Sequence, residues 1–375
     1  LNSFVCYAML IRLMISRLER IKQLFPDEPN FRLSQIEQAL FQDGSTSWNN
    51  ATTLSKTMRE TLVAEVQWIT VETVTIRESY NGDIIKAVLK LQDGTIIESV
   101  LMRNRRGQWT ICVSCQVGCA MRCGFCATGR MGLKRNLNRD EIVDQYRFWQ
   151  IYLYERRLKP ATTLEERISN VVLMGMGEPL ANYEEVKAAL HTILTHTDIG
   201  KTRITVSTVG VLPRLEQILT DKDWPHVRLA ISLHSAIAKT RKEIVPTSFD
   251  DFLPKLKDWS RRYLIRHGNR RHHLTFEYVM LRGINDSLDH ARQLASFVRS
   301  IGQVKVNLIQ YNLTDNNYQC SSPETVGAFM KELETGGITV SVRKTMGDDI
   351  AAACGQLIAE QKDKGRQSPQ RVTKV

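Results

Sequence analysis

The spacing of apolar and polar positions divides the chain into three stretches. Over 15–66, ISRLERIKQLF, FRLSQIEQALF and LSKTMRETLVAEV repeat apolar residues every three or four positions, which predicts amphipathic helices; Pro26 and Pro29 separate the first two. Over 67–111 the pattern changes. VETVTIRES, IIKAVLKLQ and TIIESVLMR read as strands, and the tight-turn pairs Asn81-Gly82 and Asp93-Gly94 between them predict an antiparallel hairpin or meander. From 110 onward strand and helix patterns alternate. TICVSC precedes a helix over 139–156, NVVLMGMG precedes YEEVKAALHTIL, and RITVSTVG precedes PRLEQILT. VRLAISLH, HLTFEYVML and VKVNLIQYN are each followed by helical sequence, and a last strand, ITVSVRK, precedes an expected helix over 348–360.

Such alternation implies parallel strands joined by helical crossovers. Six or seven units suggest an open or partial (β/α) barrel whose site lies at the C-terminal ends of its strands. The fold class is therefore α/β, with a small helical N-terminal domain (1–66), a β-hairpin extension (67–109), the barrel (110–345), a C-terminal segment (346–360) and a polar, basic tail (361–375) expected to be disordered. No internal repeat is visible.

Composition changes this picture little; charge and cysteine count change it more. The 375 residues are 42% hydrophobic and 24% charged, an ordinary globular balance. A net charge of +11 favours polyanionic partners, RNA and DNA first. The opening LNSFVCYAMLIRLMI is apolar but broken by Arg12, shorter than the roughly 20 residues of a membrane span, and without a charged start. Met9 and Met14 are alternative starts, which makes 1–13 a candidate non-native leader, and a cytoplasmic location is expected.

Of eight cysteines, five lie within 112–126. Disulfide frameworks belong to short secreted chains, so crowding in a chain this long points to metal chemistry in a reducing compartment. Within CVSCQVGCAMRCGFCATG, Cys119, Cys123 and Cys126 form C-x3-C-x2-C. Three thiolates on one tight loop can hold three irons of a cubane and leave the fourth open. A zinc knuckle recruiting Cys112 and Cys115, or a set of buried thiols, is the alternative.

This triplet after a strand, with Phe125 before its last cysteine, resembles the radical S-adenosylmethionine (SAM) superfamily. The order CVSCQVGCAMRCGFCATG, GLKRNLNRDEIVDQ, NVVLMGMGEPLAN, RITVSTVG, ISLHS, VNLIQYN and GDDIAAACGQL is similar to the RlmN/Cfr family of RNA adenosine methyltransferases from about Glu98 to about Leu357. Position 115 is Cys where that pattern expects Ser.

The resemblance implies a partial (β/α)6 radical SAM barrel, a 4Fe–4S cluster on Cys119, Cys123 and Cys126, and two SAM molecules per turnover. It implies SAM contacts at Gly177, Glu178, Ser207, Ser232, Leu233, His234 and Asn312, all at strand C-termini. Cys354, in a small-residue stretch that by itself reads as core, is then a thiolate that accepts a methyl group by polar displacement. A 5′-deoxyadenosyl radical would remove hydrogen from that methyl, and the resulting carbon radical would add to the adenine ring. Glu98, otherwise a solvated strand carboxylate, would take the ring proton. Cys112 would attack the sulfur of Cys354, release the product and leave a disulfide for a reductant to reopen.

Implied partners are 23S rRNA, with tRNA as a further target, and an electron donor such as flavodoxin or ferredoxin; a monomer is expected. Arg103, Arg105, Arg106, Lys134, Arg135, Arg139 and the block 261–273 are candidate phosphate contacts. Two rival readings remain: a Cfr-type enzyme methylating adenine carbon eight, against which GEPLAN argues, and a metal-bound RNA-binding protein without catalysis.

Overall fold

A computed structural model describes residues 15–104, 106–158, 167–268, 274–314, 318–343 and 347–357. Among the described residues three short α-helices come first: α1 (Arg17–Leu24), α2 (Asn30–Ala39) and α3 (Lys56–Glu65). Ser16 starts α1 with a capping box, its hydroxyl accepting from the Glu19 N–H while the Glu19 carboxylate accepts from the Ser16 N–H. Three antiparallel strands follow, β1 (Val71–Glu78), β2 (Ile84–Leu91) and β3 (Ile96–Arg103). Gly82 (φ 71°) and Gly94 (φ 80°) supply the left-handed backbone that the two turns need. The extension is thus a meander, and it does not stand apart. β3 pairs with β4 (Trp109–Cys112), which begins the parallel part of the same ten-stranded sheet.

That parallel part runs β4, β7 (Ile168–Leu173), β8 (Ile204–Thr208), β9 (Arg228–Ser232), β10 (Leu274–Met280), β11 (Lys305–Gln310) and β12 (Val340–Arg343). Each strand adds beside the last, so the sheet turns without closing, with β1 and β12 at its ends. The chief crossovers are α4 (Arg139–Arg157), α5 (Tyr183–His196), α6 (Leu212–Thr220), α7 (Ala238–Ile244), α8 (Phe252–His267), α9 (Leu288–Arg299) and α10 (Pro323–Thr335). Asn138 caps α4 in a second capping box, with Glu141. Trp109, Trp149, Trp224 and Trp259 are fully buried in the core. A separate two-stranded flap, β5 (Gln116–Gly118) with β6 (Leu133–Asn136), brackets the cysteine loop. A Cβ on Gly118 would stand 1.8 Å from the carbonyl oxygen of Gly132, so only glycine fits where the flap closes.

Over 348–360 a helix was expected, but through 357 the chain instead forms a single 3₁₀ turn (Asp348–Ile350) and further turns. Gly347, Ala351 and Gly355 all have positive φ, which breaks any continuous helix. Among the described residues no helix is long and apolar enough to cross a membrane.

The helical module is held to the barrel by buried charge. The Asp144 carboxylate on α4 accepts from Arg17, from Arg147 (2.6 Å) and from the Thr70 N–H (2.7 Å), with both guanidinium groups buried. Burial alone pushes the Asp144 carboxyl up, but Arg17 and Arg147 outweigh it and hold it at about 2. Because its pKa is depressed by folding, the stabilisation is present above the unfolded range near ~4 and is lost as pH falls toward 2. Asp144→Ala takes from buried Arg147 its carboxylate partner and leaves buried Arg17 only the more distant Asp140 (3.8 Å). It is expected to cost about 3–5 kcal/mol, read as a lowered denaturation midpoint; a loss under 1 kcal/mol would show that the cluster is not a structural anchor.

Candidate active site

The C-terminal ends of the parallel strands surround a cavity of about 160 Å³. Cys119, Cys123 and Cys126 line it from the loop between β5 and β6. Burial pushes the Cys119 thiol up to about 12, and raises Cys123 and Cys126 as well. Thiols this reluctant to ionise in isolation are stabilised as thiolates by a metal. Gly177, Glu178, Ser207, Ser232, His234 and Asn312 line the same cavity, as do Met174, Glu277 and Arg343.

Glu178 is buried, accepting from the N–H groups of Leu180 (2.9 Å) and Val209 (2.8 Å). Burial still pushes its carboxyl above the usual range. His234 has φ 58°, and its Nδ1 accepts from the Val279 N–H (3.1 Å). Burial drives its pKa down to about 3, so the ring is neutral and Nε2 carries the proton. Its ring meets Phe125 edge-on, at 4.7 Å between centroids. Asn312 donates Nδ2–H to the Cys354 carbonyl (3.0 Å), while its buried Oδ1 has no hydrogen-bond partner among the described residues.

A second cavity, of about 240 Å³, adjoins the first. Cys112 lines only the second. Cys354 lines both, together with Met174, Ile309, Asn312, Arg343 and Leu357. The C-terminal loop brings it there through bonds made at long range. Ala127 N–H donates to Gly355 O (2.8 Å), Thr128 Oγ1–H to Leu357 O (2.7 Å), and Gln356 Nε2–H to Leu313 O (3.0 Å). Cys112 is buried and pushed up to about 12, whereas Cys354 is exposed. The charge of Arg343 reaches both sulfurs, and at Cys112 it opposes the effect of burial.

Two of the sequence-based candidates lie outside the lining of both cavities. Leu233, just past the end of β9, is fully buried in the core and does not line the cavity; its N–H donates to Glu277 O (3.0 Å). Glu98 lines neither cavity. It is not a solvated hairpin charge either: only 3% exposed, it pairs with Lys86 at 3.2 Å. Cys115 packs in the apolar core, outside the lining of the cavity.

Several basic residues proposed for phosphate contact are already engaged. Arg135 binds Glu141 and Asp93, and Arg139 binds Asp140 and Glu37. Arg262 binds Glu216 and Asp258. Arg103 lies over the Trp109 ring at 5.6 Å, while Arg106 and Lys134 are exposed. Arg105 and residues 269–273 lie outside the described residues.

A family model described as the Radical SAM superfamily matches residues 113–295, a span that holds Cys119, Cys123 and Cys126 and excludes Cys112 and Cys354. A solved structure of a radical SAM methyltransferase from Sphaerobacter thermophilus is 36% identical, with 92% of this chain and 98% of that one covered and a TM-score of 0.81. The chain is a radical SAM methyltransferase. Looser likenesses are to a domain of pyruvate-formate lyase-activating enzyme from Bacteroides vulgatus (15% identity, 47% and 99% covered, TM-score 0.36) and to Streptococcus suis SuiB bound to S-adenosylmethionine (13%, 62% and 46%, 0.41).

Membership of the radical SAM superfamily implies a 4Fe–4S cluster and SAM, and the residues present fit both. Among the described residues no three His, Cys, Asp or Glu side chains are placed to share one metal ion. The three cysteines instead share one loop on the wall of the first cavity, where each can take its own iron. The buried Glu178 carboxylate and the unpartnered Asn312 Oδ1 offer acceptors for a SAM ammonium.

Three residues in or beside this site were not foreseen. Glu277 and Arg343 follow the strand-end rule, each lying on or at the end of a barrel strand. Arg241 gives no sequence signal, since TRKEIVP reads as an ordinary helix. It is 1% exposed, donates Nη2–H to Val209 O (2.6 Å), and its positive charge reaches Cys123. A buried cation there offsets the negative charge of thiolates holding a cluster.

Proposed function

We propose that this radical SAM methyltransferase acts on carbon two of an adenosine in 23S rRNA, with tRNA as a further target, through a methylated Cys354. The observation that carries the reading is the shared wall: Cys354 lines both the cavity of the three cluster cysteines and the cavity of Cys112. A carrier sulfur needs that position, reachable from the radical source on one side and from a resolving thiol on the other.

When bound, the cluster and SAM supply the 5′-deoxyadenosyl radical that activates the methyl carbon. Cys354, the exposed thiol beside Arg343, first accepts a methyl group from one SAM as a thiolate nucleophile; a second SAM is consumed as oxidant. Carbon two of adenine is electrophilic, so the carbon must arrive as a radical rather than by attack of the ring on SAM. Once it is joined to the ring, Glu98 accepts the ring proton. Buried Cys112 then attacks the sulfur of Cys354 as a thiolate, forming a disulfide as the carbon–sulfur bond breaks; the electron pair of that bond stays with the carbon, which takes up a proton to become the methyl group, and the unpaired electron of the ring adduct would leave by the route that supplies electrons. A flavodoxin- or ferredoxin-type donor supplies electrons. The target adenosine must be presented unstacked.

The deciding experiment incubates reconstituted protein with 23S rRNA, tRNA and methyl-labelled SAM, followed by nucleoside mass spectrometry. Methyl on adenine carbon two is expected. Methyl on carbon eight would replace the reading with the Cfr-type reaction, and unmodified RNA with intact cluster signals would refute both.

A further inference from the structure

We infer that Arg241 is a positioning residue: it fixes one positive charge against the cysteine loop and so raises the reduction potential of the cluster assigned to Cys119, Cys123 and Cys126. The inference rests on the cluster that superfamily membership implies, and on no particular RNA target or methylated carbon.

The helix that carries Arg241, α7, is fastened to the cysteine loop at its last residue, where Gly124 N–H donates to Ile244 O at 2.9 Å. Ile244 and Val245 pack with Cys123 in one small apolar cluster, with Phe125 and Cys126 against it. The Arg241 side chain runs from this helix to the strand ends. Its Nη2 donates to Val209 O at 2.6 Å, just past β8, and to Ser232 O at 3.4 Å, at the end of β9. Val209 and Ser232 both line the first cavity. On its other side the guanidinium carbon stands 4.0 Å from the centre of the Phe252 ring. Backbone carbonyls and an aromatic face therefore hold the charge in one place.

What Arg241 lacks is a carboxylate. The buried Arg17 and Arg147 share Asp144, whereas the anionic group whose charge reaches Arg241 is the Cys123 sulfur. Its Nε and Nη1 have no hydrogen-bond partner among the described residues. Burial pulls the guanidinium down to about 10, which leaves it charged at neutral pH. A buried cation without a counter-charge is costly, and a cluster on the neighbouring thiolates is the counter-charge this position fits. A cubane held by three thiolates is net negative and gains one further negative charge on reduction. A fixed cation in a wall of low dielectric favours that added electron. The surrounding groups do not cancel it. Burial, and then Arg241 itself, keeps His234 neutral, and Glu178 acts on Cys123 with the opposite sign. In the step concerned one electron passes from a flavodoxin- or ferredoxin-type donor to the cluster; no bond forms or breaks and no proton moves.

A side chain that only clasps two carbonyls acts through its hydrogen bonds; one that sets a potential acts through its charge. Three variants separate the two: Arg241→Lys keeps the charge without the fork, Arg241→Gln keeps a donor without the charge, and Arg241→Met keeps neither. Each full-length protein is reconstituted anaerobically with iron and sulfide, matched for cluster content, and titrated with dithionite and redox mediators. SAM and RNA are left out, and the reduced cluster is counted by electron paramagnetic resonance. At the potential that half-reduces wild type, the ratio of reduced to oxidised cluster is expected to fall about tenfold in Arg241→Gln and Arg241→Met, a midpoint about 59 mV more negative for a one-electron couple. Arg241→Lys is expected to stay within about twofold of wild type on the same scale. A wild-type potential in Arg241→Gln, or an Arg241→Lys as displaced as Arg241→Gln, would overturn the assignment, as would a wild type that assembles no reducible cluster. If Arg241→Met fails to fold, the contrast between Lys and Gln still decides. Failure of the RNA reading would appear separately, as wild type that methylates no adenosine, and leaves the titration unaffected because no RNA enters it.

Discussion

Cys112→Ala is expected to halt the reaction as a covalent protein–RNA adduct. Cys112 lines the second cavity with Cys354 but is absent from the lining of the cluster cavity. Its loss therefore leaves Cys119, Cys123, Cys126 and the Cys354 sulfur in place. Burial pushes its thiol up to about 12, so it rests protonated during the methyl transfer proposed for the exposed Cys354. Its proposed work comes last, when a thiolate must attack the Cys354 sulfur and free the product. Arg343, which acts on both sulfurs, is the cation placed to favour that thiolate. Without the attack the carbon stays bonded to sulfur, and each protein molecule retains one RNA. Denaturing gels should show a shifted, nuclease-sensitive band that approaches the amount of active protein, with free methylated RNA reduced by at least about a hundredfold, given that the bond-breaking nucleophile is gone. A Cys112→Ala enzyme that turns over freely would remove Cys112 from the reaction.

What the sequence disclosed, and what it hid, follows the range of the interactions involved. That Cys119, Cys123 and Cys126 share one cavity wall was legible because three side chains within eight residues need only one loop to come together. The strands and their turns were legible for the same reason, since Asn81-Gly82 and Asp93-Gly94 set their backbone locally. The meander's continuity with the barrel was not, because it depends on β3 pairing with β4 rather than on either strand's pattern. The segment after 347 misled: an alanine-rich run reads as helix, yet bonds to the cysteine loop and a lysine from β2 hold it in left-handed turns. Arg135 and Arg139 looked available for phosphate because Asp93 and Glu37, the partners that engage them, are distant in the chain. Lys86 escaped notice for the converse reason. A lysine in a strand normally marks the solvent side, and nothing local shows that this one has an acid to face.

Cys354→Ala tests the whole scheme from its first step. It removes the one sulfur shared by the two cavities and leaves the lining of the cluster cavity otherwise unchanged. Cys354 is exposed and its backbone carbonyl, not its sulfur, bonds to Asn312 at 3.0 Å, so alanine leaves the loop's anchoring bonds intact. Folding and cluster assembly should survive, with electron paramagnetic resonance of the reduced protein like that of wild type. Label from SAM should no longer appear on the protein, and methylated RNA should fall below detection, since no other described cysteine lines both cavities. This pairing of a normal cluster with absent methyl acceptance separates the carrier role from a structural one. A structural thiol, once removed, would disturb the cluster signal along with the chemistry. Retained RNA methylation in Cys354→Ala would mean that the carbon reaches adenine without resting on this sulfur, and Cys112 would then have nothing to resolve.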